Sequence, residues 1–203
     1  MPQLIDLSMA VSSQMPVYPG DPEPRMEKVF SIPRDAVNVS SFSMTTHFST
    51  HIDAPYHVLN GGKKLDEYPL EKFTGNGVLL DVRGQFPIRK ADPEKIQKDD
   101  IVLFYTGQVN KIPDGEYFKL APFISAELAE KIAERRPKMI GIDSFSPDPE
   151  PFEVHKILLK NDILIIENLA GLERLLGKKF DIMAFPLKMS SDGAPARVVA
   201  AVK

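Results

Sequence analysis

Cysteine and tryptophan are both absent from this sequence, and histidine is scarce, with four residues in 203. Without thiols, disulfides, thiolate zinc sites, iron–sulfur clusters and cysteine nucleophiles are excluded together, so any metal must be held by nitrogen and oxygen. No apolar stretch approaches the roughly 20 residues that cross a bilayer, and no membrane partner is expected. The opening residues, "MPQLIDLSMAVSSQMPVYPGD", lack the basic segment and unbroken apolar run of a secretory signal, which points to a cytoplasmic protein. A net charge of -3, with acids and bases interspersed, gives no basic stripe of the kind a phosphate backbone requires. Nucleic acid is therefore not an expected partner.

What is present is an ordinary globular composition, 43% hydrophobic and 26% charged. The length suits a single domain over residues 1–203, with no repeat, linker or low-complexity tract to divide it. Eighteen prolines break the chain into short segments, which favours strands and tight turns over long helices. The predicted strands are "LIDLSMAV", "RMEKVFSI", "NVSSFSMTTHF", "GVLLDVR", "DIVLFYTG", "KMIGIDSF", "DILIIENL", "FDIMAFPL" and "RVVAAV". Several are apolar throughout, as in strands buried on both faces, so helices must cover part of the sheet or the sheet must close on itself. The clearest helix is "ISAELAEKIAERRPK", where Ser125 can cap, Leu128 and Ile132 share a face, and Pro137 ends the run. "PFEVHKILLKND" predicts a shorter one ending near Asn161.

Three of the four histidines fall within "HFSTHIDAPYH", residues 47–57. His47, His51, Asp53 and His57 all stand at odd positions, which share one face of an extended chain. Pro55 and the β-branched Thr46, Thr50 and Ile52 argue against a helix. In a strand His51 and Asp53 can reach one metal, whereas His47 lies roughly 13 Å from His51 along the axis. For His47 to join them the chain must bend between Phe48 and Thr50, where Ser49 is small enough to permit it. A lone histidine is more often a hydrogen-bonded structural group, but three with an aspartate on one face favour a metal. The fourth histidine, His155, precedes Glu167 by twelve residues. Glu167 ends the apolar run "ILIIE", where a buried carboxylate costs several kcal/mol unless it is paired, hydrogen-bonded or on a metal. Capping a turn at Asn168 or pairing with a surface lysine is the alternative. The six groups together would suffice for two bridged metals.

At these residues the sequence resembles the cyclase family of metal-dependent hydrolases, which includes bacterial kynurenine formamidases and isatin hydrolases. The family signature of His, three residues, His, one, Asp, three, His is matched by "HFSTHIDAPYH". The likeness extends to "PVYPGDP", "PLEKFTGNGVLLDV", "VLFYTG", "GIDSFSPD", the "H...IIENL" pair and "FPLKMSSDGAPARVVA". It implies an α/β, swivelling β/β/α fold with a central mixed, partly barrel-like sheet and a few flanking helices. It also implies a centre of two divalent ions, zinc in the formamidases and manganese in the isatin hydrolases. Carried over by position, His47, His51 and Asp53 bind one ion, Asp53 and Glu167 bridge, His155 completes the second, and His57 is the general acid/base. Members are dimers or higher oligomers. Ser49 replaces a common glycine, and Tyr18 stands in "PVYPGDP" where formamidases carry a pocket-lining tryptophan, a position from which tyrosine can still stack on an aryl ring.

The activity so implied is arylformamidase-like, as in tryptophan catabolism: cleavage of an amide, formamide or cyclic imide by metal-activated hydroxide, with His57 returning a proton to the leaving nitrogen. Asp21, Asp66 and Asp143 are candidate supporting carboxylates, each more easily read as structural. Two rivals stay open: ring opening, elimination or cyclisation at the same centre, and a metal-binding protein without turnover.

Overall fold

The computed structural model describes residues 2–12, 15–113 and 115–203. Its strands are β1 (Gln3–Asp6), β2 (Arg25–Phe30), β3 (Val39–Ser43), β4 (His51–Asp53), β5 (Thr74–Asp81), β6 (Ile101–Tyr105), β7 (Met139–Ile142), β8 (Leu164–Glu167), β9 (Phe180–Pro186) and β10 (Gly193–Val202). The α-helices among the described residues are α1 (Ala126–Arg135) and α2 (Glu153–Lys160). Each segment expected to be a strand overlaps one, with β1, β5 and β10 starting earlier than expected, at Gln3, Thr74 and Gly193. The remaining strand, β4, is only three residues long and lies inside "HFSTHIDAPYH".

Strands β4, β8, β7, β6, β5, β9 and β10 pair in that order, and β10 returns to pair with β4, closing a barrel. Strand β1 runs beside the far half of β10. From β5 to β8 the pairing is parallel, which requires crossover connections, and α1 and α2 supply two of them. Closure leaves few unpaired edges. The result is the mixed, barrel-like sheet with flanking helices that the family resemblance implies.

Closure also explains why β6, and β8 as far as Glu167, carry apolar side chains on both faces. Ile101, Leu103 and Tyr105 belong to the cluster inside the barrel, while Val102 and Phe104 join the layer under the helices. Leu164 and Ile166 likewise point inward and Ile165 outward. Helix α1 begins at Ser125, whose Oγ accepts from the Leu128 amide at 3.3 Å, and buries Leu128 and Ile132 against that outer layer. Arg136, in the left-handed conformation at φ 54°, closes it just before Pro137. Helix α2 buries Val154 and Leu158 in the same layer and ends at Asn161.

Strands β2 and β3 form a separate two-stranded sheet in which every residue is exposed. Its large apolar side chains include Met26, Phe30 and Phe42, the last 60% exposed.

Candidate metal centre and active site

The pleat of the short strand β4 decides where its polar residues go. Ile52 enters the barrel core, so His51 and Asp53 face the opposite way, toward the helix layer. In the antiparallel register with β8, His51 stands opposite Glu167 and Asp53 opposite Ile165. Ile165 is in the outer layer, and Glu167, two residues on, shares its face. Helix α2 lies across that layer and delivers His155. His51, Asp53, His155 and Glu167 are all buried.

His47 reaches the same place through a bend. Ser49 adopts φ 65°, a left-handed conformation that interrupts the extended chain. The His47 ring thereby comes to 4.9 Å from that of His51, far less than a straight strand would allow. Asn168, also left-handed at φ 57°, fixes the bend: its Nδ2 donates to the Ser49 carbonyl at 3.0 Å, and its backbone carbonyl accepts from the Thr50 hydroxyl at 2.6 Å. Gly193, opposite Asp53 on β10, leaves the room His47 needs, since a Cβ there would sit 2.8 Å from the imidazole Cε1.

Each of these three histidines has one ring nitrogen tied away from the centre and the other aimed into it. His51 Nδ1 donates to the Ser49 carbonyl at 2.8 Å. His155 Nδ1 lies 2.6 Å from Asp148 Oδ1, and His47 Nε2 lies 2.9 Å from Asp192 Oδ2. The inward nitrogens gather around two carboxylates. His47 Nδ1 is 2.8 Å and His51 Nε2 3.2 Å from Asp53 Oδ1. His51 Nε2 and His155 Nε2 are each 3.3 Å from Glu167, and His155 Nε2 is 3.7 Å from Asp53 Oδ2.

This donor set fits divalent cations. His51 Nε2 and Asp53 Oδ2 are buried without a hydrogen-bond partner, an expensive state that a cation would relieve. The donors are nitrogen and oxygen, and the outward hydrogen bonds orient the rings as they do around metal-binding imidazoles. Two groups could each hold an ion, His47 with His51 and Asp53, and Asp53 with His155 and Glu167, the donor atoms of each lying within 4.8 Å of one another. Asp53 belongs to both.

The electrostatics agree. Burial disfavours a charged His51, yet Asp53 and Glu167 outweigh it and raise the imidazole to about 10. His155 is also held well above the usual histidine range against its burial, by Asp148, Asp53 and Glu167. Asp53, whose burial would raise it, is held well below the usual carboxylate range by His51 and His47. The cluster is thus built to attract positive charge.

His57 occupies a short 3-10 turn, Pro55–His57, at the rim. Its ring lies 4.0 Å from that of His47 and 5.8 Å from that of His155, and its Nδ1 is 3.7 Å from Asp192 Oδ2. The turn after Pro55 brings it closer to His47 than its place in the sequence suggested, and with His47 and Asp192 it makes a further group able to hold an ion. Burial lowers its basicity, and positive charge on His47 and His155 acts in the same direction.

A cavity opens over the centre, lined by His47, His57, His155 and Glu167 at its floor and by Tyr18 and Asp21 on its wall. Tyr18 packs edge-on to Phe118 at 5.8 Å and tilted against Phe145 at 5.8 Å. Of the other suggested carboxylates, Asp143 is buried and accepts from the Thr106 amide and hydroxyl and the Gly107 amide, while Asp66 is exposed. Sequence reasoning missed Asp192, Asp148 and the bracing by Asn168. Asp192 lies within "FPLKMSSDGAPARVVA" and Asp148 ends "GIDSFSPD", but nothing local marks either as a histidine partner.

The Cyclase family model, described as "Putative cyclase", matches residues 5–149. Kynurenine formamidase of Bacillus anthracis is 31% identical over 205 residues, covering 96% of this chain and 95% of that protein. Isatin hydrolase A from Labrenzia aggregata superposes with a TM-score of 0.87 at 24% identity, over 98% of this chain and 93% of its own. A Bacillus stearothermophilus structure described as a "predicted metal-dependent hydrolase" has a TM-score of 0.75 at 27% identity, covering 98% of both chains. The HxxxHxDxxxH segment that organises the centre lies inside the matched region, and the chain belongs to the cyclase family.

Proposed function

We propose that this protein is a metal-dependent amidohydrolase of the arylformamidase type, cleaving the C–N bond of an N-formyl aryl amine such as N-formylkynurenine, or of a related cyclic amide. The observation that carries this reading is the convergence of three anchored imidazoles on Asp53 and Glu167 beneath an aromatic-walled cavity. His47, His51 and Asp53 would hold one divalent ion and Asp53, His155 and Glu167 a second, zinc being the first choice and manganese the other. Such ions, when bound, activate water near neutral pH and polarise a carbonyl oxygen.

The protein's own groups do the rest. Hydrolysis adds a water oxygen to the carbonyl carbon, breaks the C–N bond and leaves the amine needing a proton. His57, whose burial disfavours the protonated form, can take a proton from the water and return it to the leaving nitrogen. Its place at the rim of the cavity, between His47 and His155, suits that transfer. Tyr18 and its phenylalanine neighbours offer ring faces and edges to an aryl group.

The protein acts as a homodimer in this reading. The β2–β3 hairpin supports it: a lone two-stranded sheet is marginal in water, and this one exposes several large apolar side chains that a second copy would cover. Among the described residues no helix is long and apolar enough to cross a membrane, and a cytoplasmic location accords with the sequence reading.

The test is elemental analysis of protein purified without added metal, followed by chelation and reconstitution with zinc or manganese and assay on N-formyl aryl amines and isatin. Stoichiometric divalent metal with restored amide cleavage is expected. Metal-independent turnover, or full metal loading with no amide cleaved, would overturn the assignment.

A further inference from the structure

Resting on the amidohydrolase reading, we propose that the cavity selects substrates whose aryl portion carries a cationic amine, recognised by Asp21 together with the rings of Tyr18, Phe118 and Phe145. The placement begins with a turn. In Tyr18–Pro19–Gly20–Asp21 the Asp21 amide donates to the Tyr18 carbonyl at 3.0 Å, and Gly20 takes φ 99°. Proline followed by a glycine at positive φ is the pattern of a type II turn, which brings its first and fourth residues together. Tyr18 and Asp21 therefore stand side by side on the cavity wall.

The rings beside them form a cluster, with Phe118 and Phe145 centred 5.0 Å apart and each 5.8 Å from Tyr18. Aromatic faces next to a carboxylate favour ammonium groups, through ring quadrupole and charge together. The Asp21 carboxylate is not engaged elsewhere, having no hydrogen bond or ion pair with another described residue. No lysine or arginine lines the cavity among the described residues, and Met1, Ser13, Gln14 and Asp114, which lie outside them, have no basic side chain.

The centre itself does not reverse this preference. Asp53 and Glu167 lie at its middle, and Asp148 and Asp192 stand directly behind His155 and His47. Those four carboxylates would offset two divalent cations. Asp21 then lines the cavity as a carboxylate that no described residue pairs.

The experiment compares three para-substituted formanilides, bearing aminomethyl, methyl and carboxylate groups, on metal-reconstituted wild type and Asp21→Asn. In wild type kcat/KM should favour the aminomethyl compound over the methyl one by about tenfold and disfavour the carboxylate by a similar factor. In Asp21→Asn the aminomethyl-to-methyl ratio, taken within that variant, should fall toward one. Equal rates across the series in wild type, a carboxylate preference, or an amine preference that survives Asp21→Asn would overturn the proposal. Calorimetric binding of benzyltrimethylammonium, which cannot ligate a metal, against benzyl alcohol separates charge selection from hydrolysis. Tighter binding of the cation by wild type, lost in Asp21→Asn, sustains the proposal even if no formanilide is cleaved and the amidohydrolase reading fails. Equal binding of cation and alcohol by wild type refutes it even if all three formanilides are hydrolysed.

Discussion

The centre beneath α2 and the β2–β3 hairpin depart from the usual burial pattern in opposite senses. One buries His51, Asp53, His155 and Glu167, and the other exposes Met26, Phe30 and Phe42. Both arrangements are unfavourable for the chain alone, the first through desolvated charge and the second through hydrated apolar surface. They differ in how fully the protein prepares them. Around the centre the rings of His47, His51 and His155 are each held by an outward hydrogen bond and the bend at Ser49 is braced by Asn168. The hairpin is held by its own ladder. A cation needs donors fixed to within fractions of an ångström, whereas a second protein surface can adapt to an apolar patch, and that difference in tolerance accounts for the contrast.

The sharpest way to break the comparison is to remove the residue shared by both ion-holding groups. Asp53→Ala should lose both ions and hydrolysis together, by more than the 10- to 100-fold that changes behind metal ligands cause. Elemental analysis reads the first and steady-state assay the second, and full metal occupancy would refute the bridging role. His57→Ala should separate binding from chemistry, keeping metal while turnover falls about 10² to 10⁴-fold. The loss should shrink on anilides with better leaving groups, which need less proton donation. If metal departs with activity, His57 is a ligand alongside His47 and Asp192.

Preparation of the rings is tested at Asp148. Asp148→Asn can still accept from the Val154 amide, as Asp148 Oδ2 does at 2.6 Å, but its amide nitrogen cannot accept from His155 Nδ1. Affinity for one of the two ions should drop about 10- to 100-fold in metal-competition titrations, with the helix still formed by circular dichroism. At the hairpin, Phe42→Asp should weaken self-association by about 30-fold or more, the scale of losing an interface anchor. Sedimentation equilibrium measures it, and an unchanged association constant would show that the hairpin is not the interface.

The effect that is smallest per step, a graded one, sharpens the electrostatic side. In the metal-free protein Asp53 and Glu167 outweigh burial and raise His51 to about 10, so a cation must displace a proton from it. Because the protonated form competes, affinity should be weaker at low pH and rise by about tenfold per pH unit for each proton released, levelling as pH approaches that value. Calorimetry in buffers of different ionisation enthalpy counts the protons, and a pH-independent affinity between pH 6 and 9 would contradict it. The sign for folding is the same: a raised imidazole contributes stability below about pH 6.5 that is lost as pH climbs through about 10.

How much of this was legible in the sequence varied with distance along the chain. The ligand types of residues 47–57 lie close enough for spacing alone to nominate them, and the obligatory bend could be located at Ser49 because a straight strand could not join His47 to His51. The flanking elements were equally local: the Ser125 cap, the Pro137 stop and the unbroken apolar runs of β6 and β8 each follow from neighbouring residues. The family signature added the pairing of His155 with Glu167. Asp148 and Asp192 were not legible as partners, since one meets His155 across the start of α2 and the other meets His47 through the register of β10 on β4. The closeness of His57 to His47 was hidden likewise in the fold of the turn after Pro55.

Sequence by itself determined the donor chemistry, with nitrogen and oxygen ligands and no thiol, together with the strand and helix periodicities and the places where the chain must turn. These are set by side-chain type and by φ/ψ preferences over a few residues. Only the tertiary structure decided that Glu167 stands opposite His51, that Asp192 backs His47, that Tyr18 and Asp21 share a cavity wall with Phe118 and Phe145, and that the β2–β3 hairpin is left uncovered. Those relations depend on strand register and barrel closure, which are fixed by the packing of the whole apolar core and not by any one segment.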